Sequence, residues 1–264
     1  VGSEMCIRDS QYSESNVAIF KGLKYLVVGG DVISSKQVGK ITRIYKNLKI
    51  LNAYGPTENA VISTVYEVKD NWDENMTVPI GMPISNSTAY IMDKNKNLLP
   101  VGVPGELCVG GDGIARGYLN REELTKEKFI ENPYVRGEKI YKTGDLAKWM
   151  PDGNIQFMGR IDYQVKINGF RIEMQEIEEE LLKYSKVKEA IVVDKKDESG
   201  NKYLCAYVVS KEKVSQREIK EFLKKELPSY MIPSHIMQLE SMPVNSNGKV
   251  DRKALPSPNV SDLN

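Results

Sequence analysis

Residues Tyr141 to Glu180 read Y-K-T-G-D-L-A-K-W-M-P-D-G-N-I-Q-F-M-G-R-I-D-Y-Q-V-K-I-N-G-F-R-I-E-M-Q-E-I-E-E-E. Three devices succeed one another in this run. Asp145 comes after the turn pair Thr143-Gly144, and Pro151-Asp152-Gly153 is a further turn that brings the chain back as a hairpin. Gly159-Arg160-Ile161-Asp162 then interrupts the apolar pattern with a glycine among charges, a composition suited to a joint. Val165, Ile167 and Phe170 lie around the turn Asn168-Gly169, and an acidic helix begins near Glu173. Met174, Ile177, Leu181 and Tyr184 fall on one face of that helix. Glu173 and Glu176 stand at its positive end and Lys183 near its negative end, as the helix dipole favours.

Around this run, composition bounds the possibilities. A chain of 264 residues can form two modest domains, each with its own core. Its 37 basic and 36 acidic residues nearly cancel, without a long block of one sign, which argues against a nucleic-acid groove. Mean hydropathy is −0.41 and no apolar run approaches the roughly 18 residues that read as a membrane span. The start is not basic-then-apolar like a secretion signal. Cys6, Cys108 and Cys205 are far apart, and Cys108 and Cys205 fit strand cores. His235 is the single histidine, so a histidine metal cage is excluded. The expectation is a reduced, soluble, cytoplasmic protein.

Residues 1–10 fit no clear element and read as unassigned or foreign. Leu23 to Val28 predicts a buried strand stopping at Gly29-Gly30-Asp31, and Ser34 to Tyr45 predicts a helix with Val38, Ile41 and Tyr45 on one side. Leu48 to Leu51 predicts a second strand, leading into a loop Asn52-Ala53-Tyr54-Gly55-Pro56-Thr57-Glu58. In that loop an exposed aromatic could stack on a planar ring, with a hydroxyl and a carboxylate within reach of phosphate and its metal; a turn with a core tyrosine is the plainer alternative. Glu67 to Thr77 reads as a loop, and Val78 to Ile161 as short strands forming a small β-barrel or sandwich. Gly110 to Leu119 is glycine-rich, but no lysine comes after it at phosphate-loop spacing, so structural turns are the better reading. Beyond Asp162, strands are expected at Ala190 to Val193, Tyr203 to Val209 and Ile236 to Leu239. A helix from Ser215 carries a capping box with Glu218 and a stripe of Ile219, Phe222, Leu223 and Leu227, ended by Pro228. Lys249, after Asn247-Gly248, is by residue type an ordinary turn lysine.

Taken in order, these motifs resemble the adenylate-forming enzymes, most closely the amino-acid adenylation domains of non-ribosomal peptide synthetases. The resemblance rests on N-A-Y-G-P-T-E at 52–58, the Gly110–Leu119 run, Y-K-T-G-D-L at 141–146, Gly159–Asp162, and G-K-V-D-R-K-A-L at 248–255, and covers nearly all of residues 22 to 256. It implies an α/β and α+β chain: the C-terminal part of the large adenylate-forming domain over 1–161 (a strand-helix piece plus a small β-barrel), a small mobile α+β domain over 162–256, and a linker over 257–264.

The resemblance also implies roles. Asn52 would meet the adenine amino group, Tyr54 would stack on adenine beside Gly55, Thr57 would meet the α-phosphate and Glu58 would bind Mg²⁺. Asp145 would hold the ribose, Phe157 would pack near the nucleotide, and Arg160 would sit near ribose or phosphate. Lys249 would be the catalytic lysine of adenylation, Asp162 the hinge, and Lys166 and Gly169 part of a hairpin used in thioester formation. Val27, Gly29, Ala53, Val61 and Ile62 would line one side of the amino-acid pocket; all are uncharged, which predicts a neutral, mainly apolar substrate side chain. The implied reaction is ATP-dependent formation of an aminoacyl-AMP, then transfer to the phosphopantetheine thiol of a peptidyl carrier domain, among neighbouring synthetase domains. The family's phosphate loop and its amino-group aspartate belong upstream of this sequence, so the chain alone is expected to be inactive. A D-alanine:carrier-protein ligase, an acyl-CoA ligase and a non-catalytic carrier-docking module are the alternatives.

Overall fold

The computed structural model describes residues 17–70, 72–162, 164–167, 169–197, 202–245 and 250–258. The chain divides after Asp162 into two compact units.

The first unit opens with strand β1 (Tyr25–Gly29), helix α1 (Ser35–Ile44) and strand β2 (Lys49–Tyr54), with β1 and β2 parallel. Val38 and Ile41 of α1 are buried with Leu26, Leu48 and Ile50, as their helical spacing predicts. Burying each such side chain contributes roughly 1.5–3 kcal/mol. Strands β3 (Thr64–Glu67) and β4 (Met82–Pro83) extend this sheet antiparallel in the order β1-β2-β3-β4. β2 therefore runs farther than its apolar residues suggest. Asn52, Ala53 and Tyr54 belong to the strand, paired with Tyr66, Val65 and Thr64, and are not loop residues.

The rest of the unit comprises β5 (Ser87–Met92), β6 (Gly105–Gly111), helix α2 (Glu122–Lys128), β7 (Phe129–Glu131), β8 (Lys139–Trp149) and β9 (Ile155–Arg160). All five strands pair antiparallel, in the order β5-β6-β8-β7 with β9 also on β8. The expected barrel does not close. β7 and β9 take different lengths of the long strand β8, at residues 139–141 and 145–149, and leave an open sheet. The predicted hairpin turn is present between β8 and β9: the Met150 N–H donates to the Asn154 carbonyl at 2.7 Å and Gly153 has φ +81°. Cys108 is buried here as expected, and burial pushes its thiol up to about 12.

The second unit begins with a hairpin of β10 (Gln164–Ile167) and β11 (Phe170–Glu173), and helix α3 (Met174–Lys183) comes directly after it. Met174, Ile177 and Leu181 are buried along the predicted face of α3. Strands β12 (Val187–Lys196) and β13 (Lys202–Ser210) pair antiparallel; helix α4 (Gln216–Leu223) then leads to β14 (His235–Leu239), parallel to β13. The Glu218 N–H donates to the Ser215 hydroxyl at 3.1 Å, the cap that the sequence predicts. On β13, Leu204, Ala206 and Val208 face the helices, while Cys205, Tyr207 and Val209 pack with Met242 and Leu255 on the other side. Both faces of this central strand are thus covered, which explains its nearly continuous apolar run. The Tyr207 hydroxyl donates to the Pro256 carbonyl, fastening the covering segment. Among the described residues, no helix is long and apolar enough to cross a membrane.

Candidate functional site

Two of the quoted motifs, 91 residues apart, meet in the first unit. The Tyr54 hydroxyl, at the end of β2, donates to Asp145 Oδ2 on β8. Arg160, paired directly opposite Asp145 across β8 and β9, donates from Nη1 to Asp145 Oδ1 at 2.7 Å. Its Nε and Nη2 each reach one oxygen of Asp162 at 2.6 Å, and Nη2 also donates to the Thr143 carbonyl at 3.1 Å. The planar guanidinium is suited to this fork, since it offers five donors in fixed directions. Asp145 and Arg160 have side chains only 4% and 10% exposed, so each charge depends on its partner.

Local backbone makes the cluster possible. The Asp145 N–H donates to the Thr143 hydroxyl at 3.0 Å, and that hydroxyl donates to the Leu107 carbonyl at 2.6 Å. Gly144 has φ +71°, and a Cβ there would lie 2.5 Å from Asp162 Oδ2. Only glycine gives both the left-handed turn and the space. Tyr54 is a buried core residue rather than the exposed aromatic the loop reading allowed, because its strand continues through it. Burial first, then the adjacent Asp145 charge, raise its phenol well above the ordinary value. Phe157 tilts against it with ring centroids 6.5 Å apart.

A second cluster forms around Glu58. Its Oε1 accepts from the Tyr118 hydroxyl at 2.6 Å and the Tyr141 hydroxyl at 2.8 Å, and the two phenol oxygens are 3.0 Å apart. Phe129 packs against both tyrosine rings. The Tyr118 phenol is raised, chiefly by burial and next by its bond to Glu58. Neither tyrosine stands out in the sequence as a partner of Glu58. They lie 60 and 83 residues from it, and spacing carries no signal for such a contact.

The remaining expected site residues are spread over both units. Asn52 is buried and donates from its side-chain amide to the Pro79 carbonyl at 2.7 Å. Thr57 is exposed. Gly55 packs so tightly that a Cβ would lie 2.5 Å from the Val61 carbonyl oxygen. Val27 and Gly29 alternate along β1, and Gly29 pairs with Ala53, bringing these three together. Val61 has φ +73° and is spanned by an Ile62 N–H to Ala60 carbonyl bond of 2.9 Å, a strained γ-turn for a β-branched residue. In the second unit, Lys166 sits on β10 opposite Arg171, and Gly169 has φ +79° in the hairpin turn. Phe170 stacks on Tyr230 at 4.3 Å. Lys249 and Asn168 lie outside the described residues.

Comparison with known proteins covers both units. Residues 4–119 match the family model of the AMP-binding enzymes, and residues 176–249 match that of the AMP-binding enzyme C-terminal domain. Gramicidin S synthase 2 of Brevibacillus brevis is 53% identical over 249 residues, which are 94% of this chain and 6% of that protein. Tyrocidine synthase 3 of Brevibacillus parabrevis is 51% identical over 94% of this chain and 4% of its own length. Among solved structures, holo-PA1221, an NRPS protein containing adenylation and PCP domains bound to a vinylsulfonamide inhibitor, matches with a TM-score of 0.81 at 28% identity. That match covers 92% of this chain and 42% of the other. NpsA-ThdA, an artificially fused adenylation-PCP di-domain NRPS from Klebsiella oxytoca, matches with a TM-score of 0.76 at 28% identity, over 88% of this chain and 43% of its own. The chain therefore spans a small part of the synthetases it matches and under half of these solved chains.

Proposed function

We propose, from the premise that this chain belongs to the AMP-binding enzyme family, that its residues form part of an amino-acid adenylation domain of a non-ribosomal peptide synthetase. In the first half-reaction, an amino-acid carboxylate oxygen attacks the α-phosphorus of ATP and pyrophosphate leaves. In the second, a carrier-bound phosphopantetheine thiol attacks the aminoacyl-AMP carbonyl, giving a thioester and AMP. Negative charge gathers at the α-phosphate during the first step, so preorganised positive groups there contribute most.

The observation that carries this reading is the joining of Tyr54, Asp145, Arg160 and Asp162 in one hydrogen-bonded group. An ionised carboxylate has about four acceptor positions. The Tyr54 and Arg160 bonds use two at Asp145 and leave capacity for the ribose hydroxyls. Phe157 packs beside the nucleotide, Asn52 and Tyr54 serve the adenine side, and Thr57 serves the α-phosphate. Glu58 is a hard oxygen donor of the kind Mg²⁺ takes together with phosphate oxygens. When bound, Mg²⁺ neutralises phosphate charge. Lys249 donates to the substrate carboxylate and α-phosphate, Asp162 serves as the joint, and Lys166 acts in thioester formation. Val27, Gly29, Ala53, Val61 and Ile62 line the amino-acid pocket. A carrier domain and neighbouring synthetase domains are the partners in this reading, with a cytoplasmic location.

ATP–pyrophosphate exchange, measured for a complete adenylation domain carrying residues 1–264 against a panel of amino acids, tests the proposal. Exchange stimulated by a neutral, mainly apolar amino acid is expected. Selective activation of aspartate, glutamate, lysine or ornithine would overturn the pocket assignment, and exchange with carboxylic acids other than amino acids would overturn the function.

A further inference from the structure

Resting on the reading of Lys166 as a residue of thioester formation, we infer that Phe170 and Tyr230 are positioning residues. Their ring stack pins the β10–β11 hairpin, so that Lys166 is presented in one place while the carrier thiol attacks the aminoacyl-AMP carbonyl and AMP leaves. Strands β10 and β11 pair Val165 with Ile172, Lys166 with Arg171 and Ile167 with Phe170. Cross-strand partners share a face and neighbours along a strand alternate. Phe170 therefore continues the face on which Val165, Ile167 and Ile172 are buried, and Lys166 lies on the other. Phe170 is nevertheless 48% exposed, because the hairpin overruns the core at its turn. Its ring meets Tyr230 there, with centroids 4.3 Å apart and planes within 3° of parallel.

Tyr230 has its own anchor. It lies in a single 3₁₀ turn, Ser229–Met231, closed by the Met231 N–H donating to the Pro228 carbonyl at 3.0 Å. Met231 is buried in the same core as Ile167 and Ile172. The stack thus ties the hairpin tip to a segment that is held without the hairpin's help. Gly169 adds no such hold: it has φ +79°, and a Cβ there would meet nothing within 4 Å among the described residues. Tyr230 is 41% exposed, so the two rings add little to the buried core. Their contact acts on position instead. A two-stranded hairpin is only marginally stable by itself, and a misplacement of about 1 Å can cost on the order of 100-fold in rate.

The test uses a complete adenylation domain carrying residues 1–264 together with a phosphopantetheinylated carrier domain, and reads the two half-reactions separately. One readout is amino-acid-dependent ATP–pyrophosphate exchange; the other is single-turnover transfer from preformed aminoacyl-AMP to the carrier thiol. Tyr230→Leu keeps apolar bulk and removes the flat ring. It should slow transfer about 10- to 100-fold and leave exchange within about twofold. Tyr230→Phe keeps the ring and should transfer at the unaltered rate. Phe170→Leu should match Tyr230→Leu, and the double variant should be no slower than either, since both changes remove one contact. Phe170→Leu also serves where Tyr230→Leu does not fold. Equal loss of both half-reactions, or equal transfer rates in Tyr230→Leu and Tyr230→Phe, would overturn the inference. Lys166→Ala separates it from the reading beneath it. If that change slows transfer while the leucine variants do not, only the positioning inference falls; if Lys166→Ala leaves transfer unchanged, the assignment of Lys166 falls and takes the inference with it.

Discussion

Asp145 and Glu58, two carboxylates of the first unit, are held in opposite ways. Asp145 meets a guanidinium at 2.7 Å and a phenol, in a site almost closed to water. Glu58 presents one oxygen to two neutral phenols. A carboxylate beside arginine has its charge compensated locally and is fitted for neutral donors such as hydroxyls. The described partners of the two acids thus differ in kind, a guanidinium and a phenol at Asp145 and two phenols sharing one oxygen of Glu58.

Arg160→Met should break this contrast most strongly. It leaves Asp145 buried without its cation, and disrupting a buried pair by removing one partner costs about 3–5 kcal/mol. Urea unfolding should report the loss, and Asp145→Asn in the same background should recover part of it, as expected of coupled neighbours. An unchanged midpoint would mean that the pair contributes nothing.

Gly144→Ala comes next. The residue has φ +71°, and its new Cβ would lie 2.5 Å from Asp162 Oδ2 and 2.7 Å from Arg160 Nη2. A strained backbone of this kind costs on the order of 1–3 kcal/mol. Unfolding should show that loss, and Tyr118→Phe in the same background should add its own decrement independently. A strongly non-additive double variant would mean that the two clusters are not separable.

The smallest effect touches both carboxylates at once. Tyr54 and Tyr118 are raised mainly by burial, so in the folded state they keep their protons above about pH 10, where an unfolded tyrosine loses them. The stability they contribute is present below about pH 10 and declines as pH rises beyond it, by up to ~1.4 kcal/mol per pH unit for Tyr54 and less for the half-exposed Tyr118. Urea midpoints at about pH 9, 10 and 11 would measure the slope. Tyr54→Phe should flatten it more than Tyr118→Phe, and equal slopes in both variants would contradict the burial difference.

Periodicity accounts for most of the fold that the sequence makes legible. The faces of α1, α3 and α4 can be read because each buries one stripe against a core. Helix α2 is silent because E-E-L-T-K-E-K buries no residue and so leaves no apolar rhythm. β3 is silent because four residues alternate too briefly to stand out. Asn52 to Tyr54 resembles a loop because the apolar run ends at Leu51, yet pairing to β1 and β3 carries the strand onward. Asp145 and Arg160 are legible as members of motifs. Their ion pair comes from the register of β8 on β9, which no local pattern encodes.

The segment closing the second unit bears on how such proteins can be cut and rejoined. Leu255 fills the sheet face beside Cys205 and Tyr207, and the Pro256 carbonyl receives the Tyr207 hydroxyl. Lys195 adds a bond to the Leu255 carbonyl at 3.3 Å, and Arg252 spans the Val192 carbonyl and Glu178 at 2.9 and 3.3 Å. A recombination junction drawn through residues 250–256 would peel away one side of a three-stranded sheet and lay its apolar residues bare. Chimeras that exchange domains downstream of this unit should be spliced beyond Pro256.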